Sequence, residues 1–367
     1  MKRLVLLSTA LAVLAAGLGT PRASLARDDR SAQALASPAA SPSDSAELAQ
    51  LTAARDRLQA DLPLVQQRAG HDVAFGLGVR LLADMDTVRD AGQPPDGYTQ
   101  AELSEHVSGI VRLDTKLADE MLSGTVETPA TVHGLDERLM RSADGTLQPY
   151  AIYVPAGANS RSPLIVLLHG LQQTEVELLS APYLHQLADA TNAIVVAPWG
   201  RGIYDYAPPA SGDVYQIAGD VRAAFGLSPH RVFLAGYSMG GFTVYKIAPM
   251  HPEIWSGVMS VSGAILSSET ADVSYRLRST PIYVVTGSND KTVPAAYGEE
   301  TAGFLAAAGL PVSFYEQHGG THSLATLVPS LTLAWNDMLS GRVRQSNIPI
   351  GLGKPPTSEP GGAAVKN

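Results

Sequence analysis

Between residues 164 and 316 the chain carries six short runs rich in apolar side chains: Leu164–Leu168, Ala193–Ala197, Arg231–Ala235, Gly257–Ser262, Ile282–Thr286 and Val312–Glu316. Most of them lack the polar alternation of a half-solvated strand. A strand with that pattern must be covered on both faces, which a mostly parallel sheet flanked by helices achieves. Stretches of helical spacing separate the runs, near Asp213–Phe225, Met239–Ile247, Ala295–Ala308 and Leu324–Met338. The alternation predicts one α/β domain over residues 131–340. Leu135–Arg141 and Gln148–Val154 flank Ala143-Asp144-Gly145-Thr146 and predict a hairpin at the sheet edge.

The period is helical upstream of that domain. Leu48, Leu51, Leu58 and Leu62 form one stripe, and Leu103, Val107, Ile110, Leu117 and Met121 another. Thr99 and Glu102 predict a capping box for the second helix, and Val73–Val88 carries a less regular helical pattern. Gln93-Pro94-Pro95-Asp96-Gly97 breaks the chain between them. Residues 44–130 are therefore expected to form an N-terminal helical region of about three helices.

Lys2 and Arg3, an apolar stretch from Leu4 to Gly19, and small residues at Ser24-Leu25-Ala26 predict a signal peptide over residues 1–26. The product is then secreted or periplasmic. Residues 27–43 read as a flexible linker and 341–367 as a loose tail. Cysteine is absent, which excludes disulfides, thiol catalysis and zinc–thiolate sites. The net charge of −9 disfavours nucleic acid or anionic lipid as the main partner. No later stretch is apolar for long enough to predict membrane insertion.

Gly236-Tyr237-Ser238-Met239-Gly240 fits G-x-S-x-G, a pattern short enough to arise by chance, so its flanks decide its meaning. A buried strand precedes it, and Phe242–Ala248 can follow as a helix. A strand-to-helix turn this sharp strains the serine backbone and lifts Ser238 Oγ above the carboxyl end of the sheet, while the glycines relieve crowding. A serine hydroxyl is a weak nucleophile. An imidazole must take its proton, and a carboxylate must orient that imidazole. In this fold the chain order is Ser, acid, His, each just past a later strand. Asp290 falls in the loop after Ile282–Thr286 and is expected as the acid, the alternative being a turn aspartate. Two histidines follow the next run, and His322 is expected as the base with His318 at the rim. Gly319 and Gly320 let that loop fold back.

The Met239 and Leu171 N–H groups are the expected oxyanion donors. His169 is expected as a buried histidine that hydrogen-bonds the Leu171 loop, in preference to an acid–base role. No HExxH or other metal spacing is present, so no metal and no cofactor are expected.

Asp144–Tyr150, Pro163–Gly170, Gly236–Gly241 and Gly320-Thr321-His322 together resemble secreted α/β-hydrolase esterases. The nearest in appearance are the feruloyl-esterase and polyhydroxyalkanoate-depolymerase-like group, grading into prolyl-oligopeptidase-like hydrolases. Pro198–Gly202 and Tyr204-Asp205-Tyr206 resemble that group's loop after the fourth strand. Tyr237 departs from the His or Trp often found before the serine. The resemblance covers residues 135–340 and implies an α/β-hydrolase fold that cleaves a small or polymeric carboxylic ester through an acyl-enzyme. A serine peptidase is the alternative, and a non-catalytic binding protein is a third reading that a complete triad disfavours. A peptidase would want charged anchors, for which Arg201, Asp205 and Lys291 are the candidates, although Arg201 and Asp205 are expected to pair with each other. Only about 16 residues separate Gly263 from Thr280, too few for a large lid. The site is then open, or the N-terminal helices cover it.

Overall fold

The computed structural model describes residues 42–71, 73–74, 76–78, 100–202 and 206–345. The expected signal peptide, the Thr99 cap, the break at 93–97, Asp205 and the tail from residue 346 onward lie outside the described residues. By its contacts the chain divides after Asp44, and the sheet with the helices packed on it belongs to the unit Ser45–Asn367.

Eight strands form one sheet: β1 (Gly134–Arg141), β2 (Leu147–Val154), β3 (Leu164–Leu168), β4 (Ile194–Pro198), β5 (Val232–Tyr237), β6 (Gly257–Val261), β7 (Ile282–Gly287) and β8 (Val312–Gln317). Their order is β1-β2-β4-β3-β5-β6-β7-β8. The β1–β2 and β2–β4 pairs are antiparallel, and every pair from β4 to β8 is parallel. This is the α/β-hydrolase fold, with the expected hairpin at one edge.

The helices are α1 (Pro42–Ala69), α2 (Gln100–Ser123), α3 (Glu175–Leu179), α4 (Pro182–Thr191), α5 (Ala210–Ala224), α6 (Met239–Ile247), α7 (Thr270–Arg276), α8 (Ala295–Ala307) and α9 (Leu324–Ser340). The first begins at Pro42, inside the end of the stretch expected as linker. Residues 71, 73, 74 and 76–78 are also helical.

Alternation along the strands sorts the core into two layers. Leu164, Val166 and Leu168 enter one cluster with Val214, Ile217, Val244 and Leu305 of α5, α6 and α8. Ile165 and Leu167 point the other way, to Leu178, Leu184, Leu327 and Trp335 of α3, α4 and α9. A third cluster joins Leu58 and Val65 of α1, Val73, Leu77, and Leu117 and Met121 of α2 to Leu139 and Leu147 of the hairpin. Leu58, Val65, Leu117 and Met121 of the N-terminal helices thus pack on the antiparallel edge of the sheet. Burial of each leucine there is worth roughly 1.5–3 kcal/mol.

Candidate active site

A single residue separates β5 from α6. It is Ser238, held at φ 52°, ψ −115°, a left-handed conformation that costs a non-glycine residue about 1–3 kcal/mol. Hydrogen bonds on both sides retain it: Ser238 N–H donates to Val261 O at 2.9 Å, and Phe242 N–H to Ser238 O at 3.0 Å. The motif's glycines follow from close approach. A Cβ on Gly236 would lie 2.2 Å from Gly240 O, and one on Gly240 would lie 2.3 Å from Leu168 O. Only hydrogen fits where β5, α6 and β3 converge.

The loops after β7 and β8 are joined through their backbones. Ser288 N–H donates to Gln317 O at 3.0 Å and Asn289 N–H to Gly320 O at 2.8 Å, while Gly319 N–H donates to Ser288 Oγ at 2.8 Å. Asp290 is carried by the first loop and His322 by the second. Their side chains meet, with His322 Nδ1 2.8 Å from Asp290 Oδ2. On its other side His322 Nε2 lies 2.9 Å from Ser238 Oγ. His318 is exposed on the loop surface.

The second carboxylate oxygen, Asp290 Oδ1, accepts from the Thr292 amide at 2.9 Å and the Val293 amide at 2.8 Å. Burial pushes this carboxyl up, but the hydrogen bond with His322, the two amides and the charge of His322 outweigh it, and Asp290 ends below its ordinary value. It is therefore ionised at neutral pH and can only accept. His322 must then carry its proton on Nδ1, leaving the Nε2 lone pair to face the Ser238 hydroxyl.

The loop after β3 lies opposite. Leu171 is 60% exposed at its tip. Gly170 N–H donates to Gln173 Oε1 at 3.1 Å, so that amide is occupied, whereas no hydrogen bond among the described residues uses the Leu171 or Met239 amide. His169 is fully buried beneath the loop. Its Nδ1 lies 2.9 Å from Gly170 O and its Nε2 3.0 Å from Trp199 O. The imidazole braces backbone here and faces away from acid–base work.

Tyr237, the residue before the serine, stands out in the sequence only as a departure from the resembled group. Its hydroxyl donates to the His322 carbonyl at 2.5 Å, and its ring also walls Gly170, where a Cβ would lie 3.2 Å from it. Burial and the nearby Asp290 charge push its hydroxyl up to about 12, so it remains a donor at working pH.

Arg201 is held by groups from outside its own loop. It donates to Asp213 Oδ2 at 2.6 Å, Asp144 Oδ2 at 2.5 Å and Ser142 Oγ at 2.7 Å, which ties the hairpin to α5. Among the described residues no three His, Asp or Glu side chains gather as a metal-binding group, and no helix is long and apolar enough to cross a membrane.

A mostly parallel eight-stranded sheet with a strained serine at the end of its fifth strand defines the α/β-hydrolase fold. Comparisons with known proteins agree. Residues 216–327 match the model of a family described as phospholipase/carboxylesterase. A stretch of 159 residues, 42% of this chain, is 28% identical to 22% of a bifunctional acetylxylan esterase/xylanase of Neocallimastix patriciarum. Another of 175 residues, 43% of this chain, is 26% identical to 40% of a poly(3-hydroxyalkanoate) depolymerase C of Paucimonas lemoignei. A third of 108 residues, 29% of this chain, is 32% identical to 41% of a probable carboxylesterase, SOBER1-like, of Arabidopsis thaliana. The chain spans less than half the length of each of these relatives.

Proposed function

We propose that the protein is a serine hydrolase of carboxylic esters, with Ser238 as nucleophile, His322 as general base and acid, and Asp290 as the group that orients His322. The observation that carries the reading is the continuous chain Ser238 Oγ, His322 and Asp290, with links of 2.9 and 2.8 Å, on a serine held at positive φ. In the first half-reaction Ser238 Oγ bonds to the substrate carbonyl carbon as its proton passes to His322 Nε2. The carbonyl π pair becomes an oxyanion facing the Met239 and Leu171 amides. Collapse of the tetrahedral adduct breaks the ester C–O bond, and His322 returns the proton to the departing alcohol. Water then attacks the acyl-enzyme by the same route and releases the acid and free Ser238.

The short β6–β7 connection and the exposed Leu171 favour an accessible site, and two of the named relatives act on polymeric esters. A small or polymeric carboxylic ester is therefore the substrate class. The peptidase alternative loses its best anchor, because Arg201 is engaged by Asp144 and Asp213. We assign the chemistry to residues 131–340 and treat 44–130 as a separate N-terminal region. The basic and apolar start over residues 1–26 supports export, so the enzyme acts outside the cytoplasm. Hydrolysis of p-nitrophenyl esters and peptide anilides, with a Ser238→Ala variant alongside, tests the assignment. Ester turnover should fall by several orders of magnitude in the variant while the fold persists. Equal activity in the alanine variant, or anilide cleavage with negligible ester turnover, would overturn it.

A further inference from the structure

We infer that the N-terminal helical segment around Gly76 braces the loop that receives the oxyanion, acting through Trp199 and His169. This makes Gly76 and Trp199 positioning residues for ester hydrolysis, and the inference rests on the reading of Leu171 N–H as an oxyanion donor.

The chain of contacts begins with Gly76, which is buried against the Trp199 indole. A Cβ at this position would fall 2.3 Å from Trp199 Cζ2 and 2.8 Å from Cε2. Nothing larger than hydrogen fits unless the indole or the helix moves. The helix is held in place, because Val73 and Leu77 on either side of Gly76 belong to the cluster shared with α1, α2 and the hairpin. Trp199 is itself only 1% exposed, and its backbone N–H donates to Pro149 O at 3.2 Å. Its carbonyl is the group that His169 Nε2 meets at 3.0 Å.

His169 Nδ1 in turn lies 2.9 Å from Gly170 O; a neutral imidazole donates to one of the two carbonyls only, and the other is held by packing against the ring. The Gly170 carbonyl and the Leu171 N–H are the two ends of one planar peptide unit and point in opposite directions. Whatever holds the carbonyl therefore aims the amide. Gln173 N–H adds a second hold on that carbonyl, at 3.3 Å, and Tyr206 closes the set from below, its hydroxyl accepting from His169 N–H at 3.0 Å. Displacing Trp199 shifts the imidazole, turns the Gly170–Leu171 peptide and takes the donor off line. An oxyanion donor acts only where charge develops, so the loss falls on kcat and spares ground-state binding.

Gly78 supplies the control, being on the same helical segment with open space where its Cβ would be. The experiment compares Gly76→Ala, Gly78→Ala and the unaltered full chain on p-nitrophenyl acetate, with thermal unfolding of each. Removal of one oxyanion donor costs about 10²–10³-fold, so a displaced donor should lower kcat at least about tenfold. KM should stay within about twofold. Affinity for a trifluoromethyl ketone should fall in step with kcat/KM, because the adduct of Ser238 Oγ with that ketone places an alkoxide at the same amides. Gly78→Ala should match the unaltered enzyme. In a Trp199→Phe background, where the smaller ring leaves room, Gly76→Ala should cost less than about twofold.

Equal kcat in Gly76→Ala and Gly78→Ala would overturn the inference and leave the hydrolase reading standing. If Gly76→Ala does not fold, Trp199→Phe alone decides, and an unchanged kcat there overturns it. An unaltered chain without Ser238-dependent turnover would overturn the hydrolase reading, and this inference with it.

Discussion

Replacing Asp290 by asparagine removes a charge and almost no volume, and the structure dictates which way the new amide must sit. Asp290 Oδ1 accepts from two backbone amides while Oδ2 faces His322 Nδ1. If the carboxamide oxygen takes the Oδ1 place, both amides remain satisfied and the NH₂ group faces the imidazole. The opposite orientation opposes donors to two donors and strands both amides, at about 1–3 kcal/mol each. The first orientation therefore wins by about 2–6 kcal/mol. With an NH₂ group donating to Nδ1, the imidazole must carry its own proton on Nε2, pointing it at Ser238 Oγ. The hydroxyl then has no base. This tautomeric reversal costs about 10⁴ in kcat where the same triad chemistry operates, or about 5.4 kcal/mol. The assay is kcat on p-nitrophenyl acetate at pH 7, with circular dichroism to verify the fold. Fluorophosphonate labelling of Ser238 should slow in parallel. A loss below about 30-fold with the fold intact would refute the idea that Asp290 selects the tautomer.

Neighbouring groups give two further outcomes. Tyr237→Phe strands the His322 carbonyl that the hydroxyl now satisfies at 2.5 Å. At about 1–3 kcal/mol for a buried acceptor left unpaired, kcat should fall about 5- to 100-fold, and unchanged turnover would show that the tyrosine does not hold the histidine loop. Stability should fall steeply once the solution is acidified below the ordinary aspartate range. The carboxyls of Asp290, Asp144 and Asp337 all lie below their ordinary value of 3.8: the first through the balance described above, the second chiefly through the Arg201 hydrogen bond, and the third because the Arg344 and Tyr315 hydrogen bonds outweigh burial. Groups depressed in the fold stabilise it above 3.8, and that support is lost as pH falls further. Burial pushes Glu120 and Glu269 above their ordinary 4.5, so they cost stability near neutrality and are relieved as pH falls toward 4.5. Denaturant midpoints should drop from pH 4.5 to 3; a midpoint that holds or climbs between 4.5 and 3 would contradict this.

The parts of the fold that were legible are those whose period is unbroken. Leu164–Leu168 and Met239–Ile247 end where the apolar pattern ends. Three short helices left no such trace. Glu175–Leu179 spans little more than one turn, and its signal lay instead in the capping box of Thr174 and Glu177. Pro182–Thr191 buries Leu184, Leu187 and Ala188 at helical spacing, but over too few turns to stand out, and Thr270–Arg276 buries Val273 alone. Ser238, Asp290 and His322 are legible as candidates because each falls just past a strand whose end the sequence marks, and the structure places the three side chains together. Asp144 and Asp213 could not be read as partners of Arg201, because they come from the hairpin and α5 and are brought near only by the order of strands in the sheet. Gly76 was unreadable for the same reason, since the need for a glycine arises from an indole that the sheet places against it.

The cluster that joins the N-terminal helices to the hairpin is drawn from the early part of the growing chain. All its buried members lie between Leu58 and Leu147, so this layer possesses every side chain it needs before Leu164 has been added. Synthesis proceeds from the N-terminus at about 5–20 residues per second, which leaves several seconds before Trp199 emerges. The helices can thus be in place as a ready-made seat, with Gly76 as its open notch, when the tryptophan arrives. In the finished molecule the oldest segment then lies against a tryptophan added later, and Ser238 follows later still.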